Sequence, residues 1–289
     1  MEDSLSKMEP EKKKKKLARK KIKKLKGYLF ILPSLIGFSI FFIIPFLEGI
    51  KYSFYKSGFI KSFVGFSNYK DVLSSGAFRL ALKNNLLFML VGVTLAIAIS
   101  FLLALVIYEI NPPKHIKLAI ILPIAIPSAV TSGFFRKLFT SSFSILDSDY
   151  AMIAVILIYI WRSVGYNLII YLAALTSMDK SIIEAAKIDG SNYLQRIRHV
   201  IFPLTIPSTV FVFIVSVINS FKVFRDVFIL EGGYPNQKIY MLQHYMNNTF
   251  RNLSYQRLTA ASYMFALAIF AFAGLFFYLD KRYSKGLEK

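Results

Sequence analysis

The stretch Glu184-Ala185-Ala186-Lys187-Ile188-Asp189-Gly190, followed after nine residues by Val200-Ile201-Phe202-Pro203, is polar and lies between two apolar segments. Helix formers run into Asp189-Gly190, and glycine suits a position that needs positive φ. Ser181 and Glu184 have capping-box spacing, so a helix is expected to start just before the glutamate. A second helical stretch, Tyr193 to Phe202, is expected to run into Pro203. The local reading is a short helix, a tight turn and another short helix.

The flanks decide what kind of chain carries this loop. The sequence has 289 residues, 55% of them hydrophobic, which is too apolar for an ordinary soluble domain. Six segments approach the ~20 apolar residues that a spanning helix needs. They run over 28–47, 84–107, 116–135, 151–175, 204–224 and 258–279. The fold class is therefore all-α, a polytopic membrane protein with six transmembrane helices. Pro33 and Pro45 in the first segment, and Pro123 and Pro127 in the third, predict kinks.

Net charge is +20, and twelve of the 36 Lys and Arg lie within residues 7–26. A basic tail can bind nucleic acid. This one abuts an apolar span, which makes it a topology signal and a contact for anionic lipid. The first apolar segment is too long for a cleavable signal peptide and lacks a small-residue cleavage site. With the N-terminus in the cytosol, 22 Lys or Arg fall on the cytosolic side and 12 on the outer side, with Arg162 and Lys222 inside spans. Both termini are then cytosolic, in a multi-pass protein of a bacterial-type plasma membrane. Residues 1–27 form a basic tail, and 28–289 form the membrane domain with the polar loop 177–203 in the cytosol.

The chain has no cysteine, and its three histidines are far apart, so disulfides, thiolate sites and histidine metal sites are not expected. No phosphate-binding glycine loop, nucleophile elbow or paired carboxylates are present, and no cofactor is implied. Nothing supports chemistry performed by this chain.

The spaced motif resembles the EAA signature of membrane subunits of binding-protein-dependent ABC importers. Its consensus is Glu-Ala-Ala, three residues, Gly, nine residues, Ile, any, Leu, Pro. Val200 and Phe202 replace the Ile and the Leu at unchanged spacing. Tyr28 to Phe38, Phe63-Val64-Gly65-Phe66-Ser67-Asn68-Tyr69, Leu122-Pro123 with Ile126-Pro127, Trp161 to Leu175, and Val223 to Pro235 resemble the carbohydrate branch of that family. The resemblance covers nearly all of 28–280. Within it, Tyr234 is inserted into the usual Gly-Gly-Pro, Phe135 stands for Trp and Asn85 for Thr.

The resemblance implies a type I ABC importer permease for a sugar or oligosaccharide. It pairs with a second permease, two cytosolic ATP-binding cassette ATPase subunits that supply the ATP hydrolysis, and an extracytoplasmic solute-binding protein. Glu184, Ala185, Ala186, Asp189, Gly190 and Pro203 would then form the element that couples to the ATPases. Glu184 would anchor it, the alanines would allow close approach and Gly190 would make the turn. The alternative is an amphipathic helix lying on the membrane surface.

Polar groups inside spans are candidates for the substrate path. These are Arg162, Tyr166, Asn167 and Tyr171 in the fourth segment, and Asn219 and Lys222 on one face of the fifth. Each has a second reading. Lys222 can snorkel to the head groups, Arg162 can pair with the second permease, and Asn167 and Asn219 can join helices. Tyr52, Phe54, Tyr55, Phe59, Phe63, Phe66, Tyr69, Tyr234, Tyr240 and Tyr245 in the outer segments read as interfacial belt residues or a docking surface. Rival readings are the same transporter class for glycerol phosphate, an amino acid or a peptide, and a membrane-embedded enzyme, for which the needed acidic or His clusters are missing.

Overall fold

The structure is a computed structural model and describes residues 28–56, 62–142 and 145–287. The basic tail 1–27 and Phe59 lie outside the described residues. The described residues form helices and no strand, with one isolated bridge between Tyr55 and Phe63.

In chain order the principal helices are α1 (Tyr28–Ser53), α2 (Ser67–Ser74), α3 (Gly76–Ile110), α4 (Lys114–Ala125) and α5 (Ser128–Ser142). They continue with α6 (Ala151–Ser177), α7 (Lys180–Ile188), α8 (Tyr193–Glu231), α9 (Leu242–Arg251) and α10 (Tyr255–Leu287). Four of these, α1, α3, α6 and α8, are long and apolar enough to cross a membrane, and α4 with α5 makes a fifth if counted as one broken span.

The prolines act in two ways. Ile126, just before Pro127, is extended at φ −82°, ψ 126°, as the residue before proline prefers. The helix therefore breaks, and α4 and α5 meet at 95°. The third segment is a sharp bend where the sequence suggested a kink. At Pro45 and Pro203 the helix continues instead. Each follows a π-helical segment, Ser39–Ile43 and Ile197–Ile201, that ends two residues before the proline. A π turn shifts the hydrogen-bond register, so the missing proline N–H and the bulk of the ring are accommodated without a break. The stretch from Tyr193 thus passes through Pro203 into the fifth apolar segment, and Pro203 does not terminate a short helix.

α3 packs along α6 through small residues at every fourth position: Gly92, Ala96, Ser100 and Ala104, all buried. Small side chains allow the close backbone approach on which helix pairs in lipid depend. Phe88, Val155, Tyr159 and Val217 fill one end of this core, and Leu168, Tyr171, Leu175 and Val212 fill the other. Gly165 is a second close approach: a Cβ there would meet the Ile120 carbonyl oxygen at 2.9 Å. α1 is exposed along its apolar window.

The outer segments carry structure of their own. Asn68 donates to the carbonyls of Ser53 and Tyr55 at 2.8 and 2.9 Å, and Phe54 packs on Phe66 and Tyr69. Asn84 on α3 donates to the carbonyls of Gln237 and Tyr240. Tyr69 and Tyr245 are thereby packed inward, whereas Tyr234 is 72% exposed.

Candidate functional site

Two places collect the polar residues singled out in the sequence. The first is the loop after α6. Asp179, not Ser181, caps α7: its Oδ1 accepts from the Ser181 amide at 2.9 Å. That bond holds the Asp179 carboxyl below the usual carboxylate range. The Ser181–Glu184 capping box does not form, because the helix begins earlier, at Lys180.

The exit from α7 is a Schellman turn. Ser191 N–H donates to Ala186 C=O and Gly190 N–H to Lys187 C=O, both at 3.1 Å. Gly190 takes φ +79°. The next helix opens with a reciprocal box in which Asn192 and Gln195 each accept from the other's amide at 2.8 Å. Arg196 clamps the turn by donating to Ser191 C=O. The sequence reading missed this Asn-x-x-Gln box, although its spacing was visible.

The result is a hydrogen-bonded hairpin whose polar turn is flanked by two bare apolar side chains. Ile188 is 86% exposed and Leu194 72%. Glu184 and Ala185 are exposed too, and among the described residues Glu184 has no hydrogen-bond or ion-pair partner. Such a hairpin offers apolar area and two exposed carboxylates, Glu184 and Asp189, to something outside the chain.

The second place is a cavity of about 460 Å³ between α6, α8 and the α4–α5 bend. Arg162, Tyr166, Asn219 and Lys222 all line it, with Arg225 and Asp226. Arg162 is the twelfth residue of the 27-residue α6. Its Nη1 meets Asp226 Oδ1 at 2.6 Å, and Ser132 Oγ donates to the same oxygen at 3.3 Å. Asp226 is buried, and the Arg162 side chain is 24% exposed. A cation within an apolar helix needs such a partner, and here it lies in the same chain. Lys222 donates to Asn219 Oδ1 at 2.8 Å.

Asn167 and Tyr171 do not reach the cavity. Asn167 is buried and exchanges hydrogen bonds with Ser216 Oγ at 3.2 and 3.3 Å, and Tyr171 bonds Thr209 Oγ1 at 3.3 Å. Both join α6 to α8 and belong to the packing. Asp226 is the cavity residue that the sequence reading left out of its site. The signal for it was Arg162 itself, an intramembrane charge whose partner the sequence reading looked for in the second permease.

With this geometry in hand, comparison with known proteins gives a consistent family. Residues 114–285 match the family of binding-protein-dependent transport system inner membrane components. The lactose transport system permease protein LacF of Rhizobium radiobacter is 29% identical over 278 residues, covering 87% of this chain and 93% of that protein. The sn-glycerol-3-phosphate transport system permease protein UgpA of Rhizobium meliloti is 27% identical, covering 91% and 97%. A solved bacterial ABC transporter involved in the import of the acidic polysaccharide alginate contains a chain with the same fold. Its TM-score is 0.76 at 20% identity, covering 92% of this chain and 99% of that one. The chain belongs to the binding-protein-dependent transport system inner membrane component family. It is a multi-pass membrane transport subunit and not an enzyme.

Proposed function

We propose that this chain is one of two permease subunits of an ATP-driven importer for a carbohydrate or a related small polar solute. It spans the membrane six times, the four long helices and the broken α4–α5 span being joined by the apolar part of α10. Residues 28–289 form that unit, both termini are cytosolic, and loop 177–203 is the contact for two ATP-binding cassette ATPase subunits. A solute-binding protein docks on the outer segments 48–83 and 225–257. ATPase closure, pushing the α7 hairpin, turns the spans outward to receive solute, and ATP hydrolysis returns them.

The observation that carries this reading is the hairpin tip. Ile188 and Leu194 lie bare at either side of a turn fixed by Asp179, Gly190 and Asn192. Burying an isoleucine side chain is worth about 1.5–3 kcal/mol, which is what a partner's cleft would gain by covering Ile188. The hairpin is joined directly to α6, and about 22 Å of helix separates Ser177 from Arg162. A push on the tip therefore moves the cavity wall. Replacing Ile188 with Asp in the reconstituted complex is expected to abolish binding-protein-stimulated ATPase activity while the chain still inserts. Full stimulation in that variant would remove the tip from the coupling path.

Lactose and glycerol phosphate relatives are about equally similar to this chain. Their names do not choose between a neutral and an anionic solute.

A further inference from the structure

The charges of the cavity do choose. Three cations, Arg162, Lys222 and Arg225, line it with a single carboxylate, Asp226. Asp226 is committed: it is buried against Arg162 at 2.6 Å and takes a further hydrogen bond from Ser132. That pair is neutral overall. Lys222 meets only the neutral amide oxygen of Asn219, and among the described residues neither Lys222 nor Arg225 forms an ion pair. With one carboxylate set against three cations, the lining carries a net charge of +2, and Lys222 and Arg225 are the exposed members.

A cavity with low-dielectric walls focuses such charge and concentrates counter-ions. A neutral sugar can take hydrogen bonds from these cations but gains nothing from their net charge, and its hydroxyls are also served by Asn219, Tyr166 and Ser163, which line the space. Head-group snorkelling accounts for one lysine at the end of a span. It does not account for a lysine and an arginine converging on one cavity beside an arginine already held by its own carboxylate. Donors also remain: Lys222 keeps two N–H groups beyond the one on Asn219, and Arg162 keeps those not used on Asp226.

We propose that the cavity takes an anionic solute, a sugar or polyol bearing a carboxylate or phosphate, with Lys222 and Arg225 binding the acid group. Asp226 is a positioning residue that holds Arg162 at the wall. The proposal rests on the importer reading above and adds the charge class of its solute.

The test uses the full complex in proteoliposomes, with two matched pairs of probes: digalacturonic acid against lactose, and glycerol 3-phosphate against glycerol. ATP-dependent uptake of an acidic member is expected, and the member taken distinguishes carboxylate from phosphate. A charge-assisted hydrogen bond is worth enough that Lys222→Gln and Arg225→Gln should each raise the half-saturating concentration about tenfold or more. Insertion and assembly of the complex should be unchanged in both variants. Lys114→Gln, an equal charge loss at the start of α4 and outside the cavity, should leave uptake unchanged. Uptake of a neutral probe alone, unaltered in both cavity variants, overturns the anionic assignment and leaves the importer reading standing. Uptake of none of the four also overturns it, and a complex whose ATPase ignores the binding protein overturns the importer reading itself.

Discussion

Gly190 takes φ +79° with open space where a Cβ would be, so replacing it tests backbone conformation free of steric contact. Valine at this left-handed position should cost about 1–2 kcal/mol and loosen the Schellman turn, whereas asparagine visits the region readily. Binding-protein-stimulated ATPase activity should fall in Gly190→Val and be largely retained in Gly190→Asn. Equal activity in the two would mean that the turn geometry does not matter to coupling. The Arg162–Asp226 pair is the other residue-scale case. Removing one partner of a mostly buried pair strands a charge, which typically costs about 3–5 kcal/mol, while removing both is far milder. Asp226→Ala should therefore lower the melting temperature of the complex more than the double variant Arg162→Met/Asp226→Ala does. His244 adds a pH dependence. Its ring is buried, its Nδ1 accepts from the Met241 amide at 3.1 Å, and burial pushes its pKa down to about 4 from an ordinary value near 6.5. The neutral ring is favoured by folding, so the contribution is complete above pH 6.5 and is lost as pH falls from there towards 4. The loss is at most about 3 kcal/mol. Thermal unfolding measured from pH 7.5 to 4.5 should show that decline, and His244→Phe should flatten it.

Among the elements, the bend between α4 and α5 depends on what presses against it. The α6 backbone lies so close to Ile120 that a methyl group on Gly165 would meet its carbonyl oxygen at 2.9 Å. The bend also lines the cavity, through Ile124 and Ser128. Gly165→Ala should push α4 away and impair uptake more than it impairs assembly. Gly274→Ala, where the added Cβ meets nothing within 4 Å, is the control. Uptake and assembly assays on both variants separate a packing requirement from a general intolerance of alanine. The second hairpin helix offers a gentler probe. Losing the Asn192 cap should cost roughly 1 kcal/mol, so Asn192→Ala should weaken coupling in proportion and not abolish it.

For the whole molecule the open quantity is orientation. The natural chain has no cysteine, so single cysteines report cleanly. Ile188→Cys and Tyr234→Cys lie at bare positions, 86% and 72% exposed in the native residues. A membrane-impermeant maleimide should label the Tyr234 position in intact spheroplasts and the Ile188 position only after permeabilisation. The reverse pattern would put the hairpin on the wrong side for an ATPase.

The sequence by itself determined the helical class, the long apolar helices, the spaced loop motif and the turn at Gly190. Each of these is local, set by hydropathy over a window or by the φ that a single residue allows. Four residues of the cavity, Arg162, Tyr166, Asn219 and Lys222, were also legible, because charge and amide groups inside an apolar helix stand out whatever the fold. Tertiary structure alone decided what they meet. Asn167 and Tyr171 had the same credentials, yet they point between α6 and α8 and are consumed by Ser216 and Thr209. Asp226 was not singled out in the sequence, and only packing set it against a residue 64 positions earlier. Pro203 read as a stop, but a π turn five residues long carried the helix through it. The difference is one of range. A window of sequence holds the information for hydropathy and for φ, whereas a partner's identity depends on which helices lie side by side, and that is settled only when the whole bundle packs.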